Sequence, residues 1–307
     1  MFNITGHRFK FFLISGIVIL AGIISLATIG LQLGIEFKPG SELRLRFDDP
    51  AVTQSLLKAK LGSLGHSNAI IQSQIKPTGT GDFLIRTREI TTEEKAALVA
   101  ALEARFGAST EEGFSNVSPE VATETGRNAI YAVLAAAVGI LLYVTWAFRR
   151  MPRPFHYGTC GLLALAHDVL VVVGVFSLLG PVLHWQINLM FITGVLAVIG
   201  YSINNTVITF DRIRENLLRG NKQDFETVVN NSLVETTGRS LNTSLTTLFA
   251  VVALLLFVGT PILNFAAVLL IGIIAGTYSS IFIAPLFLLV WEKKEWRRFI
   301  VWRAQKG

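Results

Sequence analysis

The sequence predicts an α-helical membrane protein with a small α+β domain inserted after its first span. Hydrophobic residues make up 51% of the 307-residue chain, charged residues make up 16%, and the mean hydropathy is +0.54. Soluble chains carry about 25% charged residues and rarely reach so positive a hydropathy. The apolar residues are also grouped into long uncharged runs, as a membrane protein requires.

The uncharged runs give the number of spans. About 20 apolar residues cross a bilayer as a helix, and the last run is more than twice that long, so it holds two spans. The sequence therefore predicts six transmembrane helices. The uncharged runs cover residues 11–35, 128–148, 155–183 (interrupted only by Asp168), 184–210 and 240–291. The predicted segments are the N-terminus with the first helix (1–32), an inserted domain (33–125), a five-helix bundle (126–292) and a basic tail (293–307).

The inserted domain begins with a strand. Leu43, Leu45 and Phe47 alternate with charged residues, which is the period of a half-buried strand. A helix is predicted over 50–64, a second strand over 68–75, a turn over 77–81 and a third strand over 82–88.

A second helix follows, because Thr91 and Glu94 have the spacing of a capping box. A fourth strand is expected within 109–118. The order βαββαβ predicts a ferredoxin-like domain.

The charges predict the orientation in the membrane. Residues 32–125 have a net charge of −3, whereas the terminal and connecting segments on the other side of the spans have a net charge of +9. The positive-inside rule then places both termini in the cytoplasm and residues 33–125 outside it. The overall charge of +6 follows this topology and does not indicate nucleic-acid binding. The basic tail is typical of an anchor to anionic membrane lipids.

Polar residues recur at helical spacing in the fourth and fifth spans. Such residues are costly in lipid and usually face the bundle interior or a water path. One interpretation is a proton or ion path at an interface with a partner half, and the other is hydrogen bonding that holds helices together. The fourth-span face comprises Ser202, Asn205, Thr206, Thr209 and Arg212, and the fifth-span face comprises Arg239, Asn242, Thr243 and Thr246.

Asp168 is the one acid near the middle of a predicted span. It is either a titrating relay residue or a structural acid that bonds to a neighbouring span or to Arg239. His167 is adjacent, but neighbours on a helix point about 100° apart, so no simple face-to-face pair is expected.

Two further groups are candidate interface elements. Asp211, Arg212, Arg214 and Glu215 end the fourth span and are either solvated anchors or a docking element for a partner. Gly272 and Gly276 have the Gly-x-x-x-Gly spacing that permits close helix approach. No metal-ligand cluster, phosphate-binding loop or catalytic triad spacing is found, so no enzyme activity, cofactor or metal site is predicted.

From the third span onward the chain contains the strings LAHDV (165–169), VIGYSINNTVITFDRIRENL (198–217), NNSL (230–233), ETTGRSLNTSLTT (235–247) and IGIIAGTYSSIFIA (271–284). These strings resemble the SecD/SecF family of bacterial protein-export subunits, and within it the SecF type. The family generally has an aspartate where this chain has Asn205, and a Gly-Gly pair where this chain reads Pro39-Gly40.

The resemblance implies a subunit of the cytoplasmic membrane that pairs with a SecD-like protein. Near the Sec channel and its motor, such a pair draws exported unfolded polypeptides across the membrane, driven by the proton motive force. Asn205 cannot titrate, so coupling through that position is not expected. The alternatives are a non-conducting scaffold subunit of the translocon and a half-transporter for small molecules or lipids.

Overall fold

The structure is a computed structural model that describes residues 3–75, 81–183, 185–219, 223–257 and 262–295. It divides into two compact units, one formed by Met1–Gln32 with Ile130–Gly307 and the other by Leu33–Ala129. The predicted turn at 77–80 and the tail beyond Glu295 lie outside the described residues.

The elements follow the predicted order closely. Within the described residues, six candidate spans are long and apolar enough to cross a membrane, and α8 and α9 together form the last of them. In chain order the elements are α1 (Arg8–Thr28), β1 (Gly40–Phe47), α2 (Gln54–Ser63), β2 (Ile70–Ile75), β3 (Gly81–Thr87), α3 (Thr92–Phe106), β4 (Ser109–Val117), α4 (Pro119–Ala147), α5 (Pro154–Leu183), α6 (Leu189–Leu218), α7 (Phe225–Phe257), α8 (Leu263–Phe282) and α9 (Ala284–Glu292).

The α/β unit contains a four-stranded antiparallel sheet in the order β2-β3-β1-β4. Leu43, Leu45 and Phe47 on β1 are fully buried, so the alternation in the sequence correctly predicts which face of the strand is internal. Helices α2 and α3 pack Leu57, Leu61, Leu98 and Leu102 into the same core. The predicted capping box is present, with the Thr91 hydroxyl accepting from the Glu94 amide and the Glu94 carboxylate accepting from the Thr91 amide.

The backbone at the start of β1 explains why Pro39-Gly40 is tolerated where the family generally has a Gly-Gly pair. Gly40 has φ of +146°, and a Cβ added there would lie 2.6 Å from the Thr87 carbonyl oxygen. Glycine is therefore required at position 40. Of the family's Gly-Gly pair, the chain keeps this glycine and has Pro39 in place of the other.

In the helical unit, α6 and α8 pack closely because glycines remove the side chains between them. A Cβ on Gly276 would lie 2.9 Å from the Ser202 Cβ, and one on Gly194 would lie 2.9 Å from the Val268 Cβ. The pair Gly272 and Gly276, predicted as a docking element, instead packs inside the chain's own bundle. Helices α1 and α5 also meet at glycines, Gly22 and Gly174.

A second set of contacts ties together the ends of α1, α7 and α9. The buried Arg8 guanidinium lies 2.7 Å from a Glu226 oxygen and 2.8 Å from a Glu295 oxygen. Lys293 also pairs with Glu226, at 2.5 Å. This carboxylate raises the pKa of Lys293 above its ordinary value, chiefly through their hydrogen bond.

Candidate functional site

Asp168 lies near the middle of α5 and is fully buried. Its Oδ2 accepts hydrogen bonds from the Ser202 hydroxyl of α6, at 2.5 Å, and from the Ser279 hydroxyl of α8, at 2.8 Å. The missing side chain at Gly276 brings α6 close enough to α8 for both serines to reach one oxygen. The carboxyl group therefore links three helices.

His167 completes the surroundings of Asp168. Its Nδ1 lies 3.0 Å from the Asp168 Oδ1, so the expectation that the two neighbours do not pair is wrong. Successive side chains diverge at their Cα atoms, but both of these groups are long enough to turn back toward each other. The His167 ring also stacks on Tyr278, with ring centroids 6.0 Å apart, and the Tyr278 hydroxyl donates to the Phe11 carbonyl of α1.

The predicted polar face of α6 is buried except at Arg212, near the end of the helix, which is partly exposed. Ser202, Asn205, Thr206 and Thr209 are each at most 1% exposed. Thr209 donates to the Asn205 backbone carbonyl at 3.2 Å. The Asn205 side-chain nitrogen has no hydrogen-bond partner among the described residues. An unsatisfied buried donor costs about 1–3 kcal/mol, so Asn205 is the least well accommodated member of this face.

On α7, by contrast, the predicted polar face points away from the bundle. Arg239, Asn242, Thr243 and Thr246 are exposed, and the structure does not bring them together with Asn205 or Asp168. The Thr243 and Thr246 hydroxyls donate back to the carbonyls of Arg239 and Asn242. No ion pair to Arg239 is found within the described ranges.

The residues of α7 that face inward are a different polar set. The Ser244 hydroxyl receives hydrogen bonds from Tyr201 of α6 at 3.1 Å and from Thr277 of α8 at 2.6 Å. Ser240, one turn earlier, is buried and has no partner for its hydroxyl among the described residues. The buried polar residues of α7 recur every four residues, at Ser232, Thr236, Ser240 and Ser244.

Charged residues at the end of α6 form ion pairs, most of them within α6. Arg212 pairs with Glu235 of α7 at 2.5 Å and with Glu215 at 2.6 Å, and Arg214 pairs with Asp211 at 2.7 Å. Asp211, Arg212, Glu215 and Glu235, together with Arg239, line a polar cavity of about 380 Å³. Of the side chains predicted for docking, Arg212 thus links α6 to α7, and the cavity beside it reaches Arg239.

Sequence reasoning missed Ser244 and Ser279. Both faces of α7 carry polar residues, so helical spacing alone does not show which face is inside. Ser279 follows Gly276 by three positions, and that spacing was the available signal for placing it beside α6. Among the described residues, no group of three or more His, Cys, Asp or Glu side chains is placed to hold a metal ion.

Six candidate spans among the described residues, with Asp168 and Asn205 buried inside the bundle, define a multi-pass membrane protein of the transport class. Residues 98–294 match the family model described as "Protein export membrane protein SecD/SecF, C-terminal", and residues 24–51 match the "SecD/SecF GG Motif". The chain belongs to the SecD/SecF family.

The SecF branch of this family supplies similar proteins. The chain is 42% identical over 306 residues to the protein translocase subunit SecF of Thermobaculum terrenum, covering 97% of this chain and 96% of that protein. It is 40% identical over 301 residues to the SecF subunit of Anaerolinea thermophila, covering 97% of each.

A solved structure shares the fold. The crystal structure of SecDF from Thermus thermophilus, a translocon-associated membrane protein, superposes with a TM-score of 0.83 at 31% identity. The match covers 95% of this chain but only 39% of the SecDF chain. This chain therefore spans well under half of that protein.

Proposed function

We propose that this chain is a SecF-type translocase subunit that pairs with a SecD-like subunit in the bacterial cytoplasmic membrane. The outward polar face of α7 carries this proposal. Arg239, Asn242 and Thr243 are exposed within a span, and a charged or amide side chain against lipid is costly. A partner helix on this face would supply hydrogen-bonding groups and exclude lipid.

The adjacent surface of α6 supports the same pairing. Its exposed positions include Ala197, Gly200 and Asn204, which are small or polar. Small residues let helix backbones approach closely in membranes. The proposed pairing surface therefore consists of the outward faces of α6 and α7.

The lengths of the relatives support a partner that is a separate polypeptide. The SecF relatives match over almost their full length. The SecDF chain is more than twice as long as its matched part, so it contains additional sequence in the same polypeptide. In our proposal a separate SecD-like chain takes the place of that sequence here.

In the proposed orientation both termini are cytoplasmic and residues 33–125 form the ferredoxin-like domain outside. The sheet order β2-β3-β1-β4, with α2 and α3 in the intervening connections, supports the ferredoxin-like assignment. The net charge of −3 over residues 32–125 supports the orientation. This domain holds unfolded polypeptide as it emerges from the Sec channel, while the motor acts on the cytoplasmic side.

Coupling to the proton motive force requires a group that changes charge, and Asn205 cannot provide it. One charge that crosses 100 mV releases about 2.3 kcal/mol. Asp168 is the acid at the centre of this bundle, where Ser202 and Ser279 connect its carboxyl group to α6 and α8. A change in its protonation would alter hydrogen bonds on both helices at once. We assign the switch to Asp168, with the partner's carboxylates as the alternative.

Reconstituted export tests the proposal. Proteoliposomes contain the Sec channel, its motor and the SecD-like subunit, with or without this chain. Adding the chain is expected to increase export in a manner that an uncoupler abolishes, and Asp168→Asn is expected to remove that increase at equal abundance. No increase on adding the chain would contradict the function, whereas an unchanged increase with Asp168→Asn would contradict only the assigned switch.

A scaffold role is the second candidate, and one observation favours it. The Asp168 carboxyl group is bonded by three side chains, as expected of a structural acid. A scaffold subunit would hold the SecD-like subunit at the channel, and the export that it supports would be insensitive to the uncoupler.

A further inference from the structure

We propose that an apolar groove between α1, α7 and α8 binds an acyl chain of an anionic phospholipid from the surrounding bilayer. The groove has a volume of about 590 Å³, within the range of about 300–1,000 Å³ typical of small-ligand sites. It is lined by Asn3, Ile4, His7, Phe11, Val234, Thr237, Gly238 and Phe282.

Several of the polar atoms that line the groove are already engaged by the protein. The Thr237 hydroxyl donates to the Leu233 carbonyl at 2.6 Å. The Asn3 side-chain oxygen accepts from the Gly6 amide, and the His7 Nδ1 contacts the Asn3 carbonyl at 2.9 Å. What remains exposed in the groove is largely hydrocarbon from Phe11, Val234 and Phe282. Such a lining does not hold ordered water, whereas it favours an apolar chain.

The groove continues onto a face of α7 that is suited to lipid. Leu241 and Leu245 lie three and seven residues beyond Gly238, on the same side of the helix, and are about half exposed. Thr243 lies nearly opposite Leu241 on the helix, whereas Asn242, one turn beyond Gly238, lies between the two sides. A lipid chain that lies along Leu245 and Leu241 would therefore enter the groove at Gly238, at the edge of the proposed pairing surface and on the side away from Thr243.

The polar end of the groove suits a phosphate group. The first candidate span begins at Thr5, so the first turn of α1 lies at a membrane surface. His7 is exposed at the rim, and the exposed Lys10, three residues later, neighbours it on the helix. No ion pair to Lys10 is found in the described part of the chain. The cationic Lys10 side chain at this level attracts anionic head groups, which selects a phospholipid over a neutral apolar ligand.

Gly238 allows a direct test. A Cβ added at Gly238 would meet no atom within 4 Å, so Gly238→Leu is expected to fold normally and to fill the groove. Gly139 on α4 is equally open, and Gly139→Leu is the matched control. The probe is phosphatidylglycerol with a photoreactive group in its acyl chain, added to the full-length protein in nanodiscs, with labelled peptides mapped by mass spectrometry.

We expect labelling of peptides that contain Val234–Gly238 and Phe282, reduced at least severalfold by Gly238→Leu and unchanged by Gly139→Leu. Lys10→Gln is expected to reduce the preference for phosphatidylglycerol over phosphatidylcholine. Equal labelling of the wild type and Gly238→Leu, with both proteins folded by size-exclusion chromatography, would overturn the proposal. Loss of labelling when a SecD-like subunit is added would assign the groove to a protein contact and would also overturn it.

Discussion

The Ser202 hydroxyl of α6 donates a 2.5 Å hydrogen bond to Oδ2 of Asp168 on α5. Ser279 of α8 donates to the same oxygen. An acid that is costly in a membrane span is thus accommodated by neutral donors from two neighbouring helices. These two hydrogen bonds join α5 to α6 and α8 at the centre of the bundle.

Ser279→Ala is expected to destabilise the protein, because it leaves a buried carboxyl oxygen with one fewer donor. The expected loss is about 1–3 kcal/mol, measured by thermal unfolding of the purified protein in detergent. Thr243→Ala is the control, since its hydroxyl bonds only to a carbonyl of its own helix and is exposed. Equal losses in the two variants would contradict the role assigned to Ser279.

Arg8→Met is expected to destabilise the protein more strongly. The change leaves Glu226 and Glu295 without the buried cation that lies between them, and breaking a buried ion pair costs about 3–5 kcal/mol. Arg88→Met removes an exposed pair with Glu94, which is worth at most about 1 kcal/mol. Similar melting temperatures for the two variants would show that the Arg8 contacts do not stabilise the fold.

The fold was largely predictable from sequence, because its signals are local. The lengths of the uncharged runs predict the six spans, and the alternation at Leu43, Leu45 and Phe47 predicts β1.

The interior of the bundle was only partly predictable. Helical spacing identified the inward polar face of α6, because the opposite side of that helix carries few competing polar groups in its membrane-spanning part. The inward residues of α7 were missed, because Ser240 and Ser244 share that helix with an equally polar outward face that the described residues leave exposed.

Arg239→Met is expected to reduce export by about tenfold, because it removes a cation from the outward face of α7, where partner groups are proposed to lie. Arg219→Met removes a cation that is paired with Glu215 at the end of α6 and is expected to have little effect. Export by membrane vesicles that contain equal amounts of each variant is the measurement. Equal activity of the two variants would contradict a specific role for Arg239.

Asn205→Asp is expected to increase uncoupler-sensitive export in the reconstituted complex. The Asn205 amide nitrogen has no partner among the described residues, and an aspartate there would add a group that exchanges protons at the position where the family generally carries one. The change also costs up to about 2.5–3.5 kcal/mol if the acid is ionised, so protein abundance must be matched. If Asn205→Asp leaves export unchanged, position 205 does not limit coupling in this chain.

Pairing through the outward faces of α6 and α7 is the central claim, and site-specific cross-linking tests it most directly. The native Cys160 is buried, so a cysteine introduced at an exposed position is the reactive one. Thr243→Cys, on the proposed pairing surface, should cross-link to the SecD-like subunit in membranes that contain both chains. Leu241→Cys, on the lipid-facing side of the same helix, should not. Cross-linking from Leu241→Cys but not from Thr243→Cys, or from neither, would contradict the account.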